Sequence, residues 1–189
     1  MKILSESIAD YIELNYDISS FSDKNELEKV EELVINRYNY SLEECSFYAE
    51  ELSYFSHLKK CTFINFEITG EVVETINQLH LTELILDNCD CILEDYLRVE
   101  KVFIESSNVS FPYLICNELV VLENDGLDIN EIIHNNLTKL TILNTPIIHS
   151  RQLINVSNCD IEIQGCSLDD YSIKDLDNVN YNPEKYYKL

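Results

Sequence analysis

The sequence predicts an α/β solenoid: a curved parallel sheet of short strands, with short helices and turns on its convex side. Three observations carry this. An eleven-residue pattern recurs along the chain, apolar at slots one, four, six and eleven and small or polar at slot nine. A fixed-period repeat of this kind dictates a stacked architecture. The copies agree with one another slot by slot. Between several of them, apolar residues fall at helical spacing, as connectors that cross from one strand to the next require.

The plainest copies are LTELILDNCDC from Leu81, VEKVFIESSNV from Val99, CNELVVLENDG from Cys116 and LTKLTILNTPI from Leu137. VEELVINRYNY from Val30, LKKCTFINFEI from Leu58 and NCDIEIQGCSL from Asn158 keep the pattern less strictly, and YIELNYDISSF from Tyr11 is a fainter copy. Successive starts are 19, 28, 23, 18, 17, 21 and 21 residues apart. Over roughly residues 11–168 the pattern resembles the leucine-rich repeat family, whose unit is LxxLxLxx(N/C)xL. The resemblance implies a binding surface and names no partner. Slot nine holds Cys89, Ser107, Asn124, Thr145 and Cys166, which suit a side chain turned inward to satisfy backbone groups at a strand end. Tyr38 and Phe66 depart from this, so the bend is expected to be irregular there.

Taken in order, the chain forms one domain. Residues 1–29 are expected to be an N-terminal cap that includes the faint Tyr11 copy, 30–168 the repeats, and 169–189 a C-terminal cap and tail. Ile3, Leu4 and Ile8 are placed to cover the open end of the stack, which must be shielded from water. Asp23 followed by Glu26 starts a helix before Leu27. Strands are predicted near 33–35, 61–63, 84–86, 102–104, 119–121, 140–142 and 161–163. The 28-residue unit has room for a helix over 42–54, opened by the capping box Ser41-Leu42-Glu43-Glu44. Val72, Val73, Ile76 and Leu79 predict a second helix over 71–79, and Asp128 with Glu131 a second capping box leading into Ile132 and Ile133. The 18- and 17-residue units are too short for helices, and Pro112 discourages one; their connectors should be extended or a single turn. Tyr171, Ile173 and Leu176 close the far end, and residues 180–189 look loosely held.

Composition narrows the function classes. Net charge is −22, with 21 acidic against 6 basic residues up to Asp95. Such a field repels bare nucleic acid and anionic membrane and favours a basic partner. No apolar stretch approaches 18 residues, and MKILSESIADY lacks the features of a signal peptide. Cytoplasmic location is the expectation, with the sequons at Asn39, Asn108, Asn136 and Asn155 incidental. Seven cysteines cannot all pair with one another. Cys61, Cys89, Cys91, Cys116 and Cys166 occupy inward slots, where free Cys acts as a small hydrophobe. A metal site built on Cys89 and Cys91 with Cys159 and Cys166 fails, because the pairs lie units apart, roughly 15–20 Å at ~4.8 Å per strand. Reduced, metal-free thiols are expected, with Cys159, in outward slot two, the most reactive and Cys45 next.

The alternation of strand side chains sends slots three, five and seven outward on the concave face. Slot three reads Glu32, Lys60, Glu83, Lys101, Glu118, Lys139, Asp160, an alternation of sign that sets register. Slots five and seven together place Ile64, Ile85, Phe103, Val120, Leu122 and Leu143 in an exposed apolar patch, with Asp87 and Glu105 beside it. These eight residues are the candidate partner-binding site. Competing explanations of the patch are β-propensity and cover by the N-terminal segment or a second copy.

No catalytic constellation is present in the sequence: no HExxH, no GxSxG, no Gly-rich phosphate loop. No cofactor or metal is expected. The paired acids Glu43-Glu44, Glu50-Glu51 and Glu94-Asp95 read as solvated. The expected function is a non-enzymatic protein-binding module, for instance an immunity or inhibitor protein for a basic partner; the Ile-, Asn-, Lys-, Glu- and Tyr-rich composition points to an AT-rich bacterial genome. Two alternatives stand beside it. One is an acidic nucleic-acid mimic using Glu43, Glu44, Glu50, Glu51, Glu71 and Glu74. The other is a self-associating structural module. The protein itself should be a monomer or weak homodimer.

Overall fold

The computed structural model of the chain describes residues 4–18, 21, 24–37, 49–91, 95–132, 137–156, 158–170, 172, 173 and 176–183. It is an α/β fold built on one eight-stranded sheet, every strand of which is parallel to its neighbours. The strands are β1 (Glu32–Asn36), β2 (Lys60–Ile64), β3 (Glu83–Asp87), β6 (Lys101–Glu105), β9 (Glu118–Leu122), β11 (Lys139–Leu143), β13 (Asp160–Gln164) and β14 (Val179–Asn182), ordered in space as in sequence. Three two-stranded sheets continue the units beyond the main sheet: β4 (Asp90–Cys91) with β7 (Asn108–Val109), β5 (Leu97–Arg98) with β8 (Leu114–Ile115), and β10 (Leu127–Asp128) with β12 (Ile147–Ile148).

The seven expected strands all form, each one residue longer at either end. Pairing runs slot on slot: Glu83 opposite Lys101, Leu84 opposite Val102, Ile85 opposite Phe103. Slots four and six are buried in every unit, from Leu33 and Ile35 to Ile161 and Ile163. Together they form one continuous core. A parallel strand buried on one face and helix-free on the other alternates in this way because the side-chain period is two.

A left-handed residue ends each of six consecutive strands at slot eight: Asn65, Asn88, Ser106, Glu123, Asn144 and Gly165. Asn and Gly tolerate that conformation most readily. Slot nine then turns inward, as expected. Asn124 Oδ1 accepts from the Ser107 N–H (2.7 Å), and the Ser107 hydroxyl accepts from the Cys89 N–H (2.8 Å). Thr145 Oγ1 accepts from the Asn124 N–H (3.2 Å), and the Cys166 thiol donates to the Gln164 carbonyl (3.2 Å). The side chains thus satisfy backbone donors that the turn would leave buried and unpaired. The bend at Phe66 is not irregular: Asn65 keeps the left-handed turn at φ 61°, and Phe66 packs edge-on against Phe63. Tyr38 lies outside the described residues.

Helices follow the connector lengths. Helix α1 (Glu6–Tyr16) corrects the faint Tyr11 copy. Leu4, Ile8 and Ile12 are spaced by four and buried together, whereas Leu14, which the copy would send inward, is 85% exposed. Helical spacing wins there. The Tyr16 hydroxyl then donates to the Glu32 carbonyl (3.1 Å) and accepts from the Glu32 N–H (2.9 Å), closing the edge of β1. Helix α2 (Lys24–Leu27) is a single turn; α3 (Ala49–Leu52) falls within the helix expected over 42–54 and ends at Leu52, residues 42–48 lying outside the described residues. Helix α4 (Gly70–Leu79) buries Val72, Val73 and Ile76. The Asp128 capping box opens only a 3-10 turn, Ile129–Glu131, where Asp128 Oδ1 accepts from the Asn130 N–H (2.9 Å). The short units cross by a 3-10 turn at Phe111–Tyr113, which includes Pro112, and by the extended pair β5–β8.

Two further expectations are corrected. The tail is not loose through Asn182: Ile161 to Gln164 pair with Val179 to Asn182, so Leu176, Val179 and Tyr181 repeat slots one, four and six once more. Cys159 is 1% exposed rather than reactive at the surface. Asn158 takes a left-handed φ of 61°, which rotates Cys159 into the inward position that an apolar slot one fills elsewhere. Cys61, Cys89, Cys91, Cys116, Cys159 and Cys166 are unpaired and buried. Burial pushes the thiols of Cys91 and Cys116 up to about 12 and that of Cys159 to about 11, which suppresses the nucleophilic thiolate. Cys45 lies outside the described residues.

Candidate functional site

The sheet face opposite the core presents slots three, five and seven as parallel rows across the strands. Each row has a different chemistry.

Slot three is a ladder of alternating charge, and much of it closes on itself. Lys60 Nζ is 3.0 Å from Glu83, and Lys101 bridges Glu83 (3.8 Å) and Glu118 (3.9 Å). The hydrogen bond to Glu83 raises the Lys60 pKa, holding its charge. Among the described residues Lys139 forms no ion pair, although Glu118 and Asp160 lie opposite it on adjacent strands.

Slot five carries Ile85, Phe103 and Val120 side by side in register. The patch is less open than the sequence suggests. Ile64, Ile85, Phe103, Val120 and Leu143 are half-buried, and Leu122 is 9% exposed. Neighbouring side chains on a closely spaced parallel sheet cover one another, and Lys101 Nζ sits 4.7 Å above the Phe103 ring centroid. That contact is a cation–π arrangement, which holds the ring in place while leaving its far side free to pack.

Slot seven carries Asp87 and Glu105 directly opposite each other, with Glu123 one residue further along the next strand. None of the three forms an ion pair among the described residues. Burial, then Asp87, then Glu123 raise the Glu105 pKa, so its carboxylate is held at an electrostatic cost. The structure places Asp87, Phe103, Glu105, Val120, Leu122 and Leu143 on neighbouring strands of one face, with Ile64 and Ile85 at one end.

Sequence reasoning missed the surface features on the helical side. Tyr96 is 50% exposed and pairs with Tyr113, ring centroids 5.8 Å apart, with the Arg98 guanidinium 5.8 Å over the Tyr96 ring. Beside them Glu67, Glu71, Glu74, Asp90 and Asp95 line a groove of about 730 Å³ under α4. The sixteen residues between the two tyrosines gave no cue that consecutive units would superpose them. Glu51, expected to be solvated, is 4% exposed: its carboxylate accepts from the Ser5 N–H (2.9 Å) and hydroxyl (2.8 Å) and ties the N-terminal helix to α3. Glu43, Glu44 and Glu94 lie outside the described residues.

A second polar junction locks the C-terminal units. Asp169 accepts from the His149 N–H (2.6 Å), the Ser150 N–H (2.8 Å) and the Ser150 hydroxyl (2.6 Å), which lower its pKa to about 2. His149 Nδ1 is 2.9 Å from Asp128, and that contact raises the imidazole pKa. Both groups are spent on structure. Among the described residues no three His, Cys, Asp or Glu side chains are grouped to hold a metal ion, and no helix is long and apolar enough to cross a membrane. The chain matches no protein-family model and no curated protein.

Proposed function

We propose that the chain is a non-enzymatic protein-binding module, a leucine-rich-repeat-like solenoid whose concave sheet face grips a basic protein partner. The slot-on-slot register and the left-handed turn at slot eight support the repeat reading. One observation carries the functional one: Phe103 stands mid-sheet, half-exposed and apolar-flanked, beside an acidic pair that forms no ion pair among the described residues. Aromatic anchors ringed by drier contacts are where binding energy concentrates. Like charges left opposite one another cost stability; a Lys or Arg supplied by a partner removes that cost. An immunity or inhibitor protein neutralising a basic toxin or nuclease, acting in the cytoplasm, fits this chemistry.

Affinity capture from the native cell, with wild-type and Phe103→Ala baits in parallel, tests the proposal. A basic protein retained by the wild type and lost by the variant supports it; equal retention removes the sheet face from consideration. A second reading has its own observation. The acidic groove under α4 gathers five carboxylates around Tyr96, the kind of surface an acidic nucleic-acid mimic would offer a DNA- or RNA-binding protein. Glu51, bound to Ser5, is not available to that surface. Charge reversal at Glu71 and Glu74 would abolish capture under that reading and leave it intact under ours.

A further inference from the structure

The rows of the sheet face fix the shape of what can lie on it. The apolar residues run obliquely: slot five on β3 and β6 (Ile85, Phe103), slots five and seven on β9 (Val120, Leu122), slot seven on β11 (Leu143). From Ile85 to Leu143 the path crosses three strand spacings of about 4.8 Å and climbs two residues of about 3.3 Å. That is roughly 16 Å, or about 5.3 Å per step. An α-helix whose apolar residues alternate at three- and four-residue intervals repeats about every 5.3 Å along its axis. An extended segment presents same-side residues about every 6.6 Å and falls out of step within three contacts.

Charge fixes the flanks. Asp87, Glu105 and Glu123 all lie on the strand-end side of the stripe, and none forms an ion pair among the described residues. On the other side Lys60, Glu83, Lys101 and Glu118 neutralise one another. We infer that the occupant of this face is an amphipathic helix laid obliquely across β3, β6, β9 and β11, apolar stripe down, with Lys or Arg along the one flank that meets Asp87, Glu105 and Glu123. The inference rests on the proposed docking role of the sheet face and adds the class of partner element that it takes.

Two synthetic peptides of about fourteen residues and identical composition test it on the full chain. One is stapled as a helix, with leucines at alternating three- and four-residue spacing and arginines on one flank. The other alternates Leu and Arg in the period of an extended strand. Fluorescence anisotropy at low salt should show the helix bound at least ~10-fold tighter. Glu105→Gln should weaken it at least ~3-fold with the circular dichroism spectrum unchanged, and Asp87→Asn should act in the same direction. Equal or tighter binding of the alternating peptide, or binding of neither, overturns the inference. So does sedimentation showing that a second copy of the chain covers Phe103. The failures separate: loss of a native partner by Phe103→Ala with no helix binding sinks the helix and spares the docking face, whereas a native partner indifferent to Phe103→Ala sinks the docking face itself.

Discussion

Two edges of the same sheet face treat charge in opposite ways. Along slot three, acid and base alternate from Glu32 to Asp160, and Lys60, Glu83, Lys101 and Glu118 are joined by ion pairs. Two residues further along the strands than slot five, Asp87 faces Glu105 with no ion pair among the described residues, and burial, then Asp87, then Glu123 raise the Glu105 pKa. Both rows rest on the same backbone register and the same core, so folding alone does not require the difference. Under the proposed function, a sheet that places lysines opposite glutamates on one edge, and does not on the other, leaves the second edge's charge for a partner. Slot three is paired across the strands; slot seven is not paired among the described residues.

The comparison can be broken at its common floor. Leu119 lies beneath both rows and is fully buried, so Leu119→Ala should cost about 2–5 kcal/mol in urea unfolding. The outward neighbour Val120 should lose far less when truncated. Comparable losses at the two positions would mean that inward and outward slots have been misassigned.

Sharper tests address the edges separately. Glu83→Lys puts a third lysine between Lys60 and Lys101 and should destabilise by roughly 1 kcal/mol at low salt. Glu105→Gln should do the reverse, stabilising the free protein by roughly 0.5 kcal/mol once solvent screening is allowed for. The pH dependence gives the sign independently. Because the folded protein raises the Glu105 pKa, it favours the neutral acid. The associated stability is present at low pH and is lost as pH rises through the raised value. That drift should vanish in Glu105→Gln, and added salt should shrink the difference between the two proteins. A destabilised Glu105→Gln would show that the acidic pair is structural after all. The smallest effect belongs to Lys139→Gln, which removes a lysine without an ion pair among the described residues and should shift stability by less than about 0.5 kcal/mol.

Much of this was legible in the sequence because period and burial coincide. Leu84 and Leu86, or Leu119 and Val121, point inward in any strand that alternates, and eleven-residue copies that agree slot by slot leave little freedom in register. The rows of the sheet face follow directly from that register. What the sequence hid has local causes. The Tyr11 copy shares residues with a helix, and the spacing of Leu4, Ile8 and Ile12 decides between them only when the fit to the core is known. The last strand was missed because Glu184 and Tyr186 fill slots nine and eleven poorly, although Leu176, Val179 and Tyr181 keep one, four and six. Cys159 was misplaced because the left-handed Asn158 shifts it by one position. The degree of exposure around Phe103 depends on where Lys101 lays its chain, which no pattern of residue types records.

The most direct measurement compares the two faces of the molecule through one residue each. With the captured partner in hand, its affinity should be measured for wild type, Phe103→Ala and Tyr96→Ala under identical salt, alongside thermal melts that confirm folding. Phe103→Ala should lose at least ~2 kcal/mol of binding, about 30-fold, while Tyr96→Ala binds as wild type. Unchanged affinity for Phe103→Ala together with a comparable loss at Tyr96 would contradict the account and move the site to the acidic groove under α4.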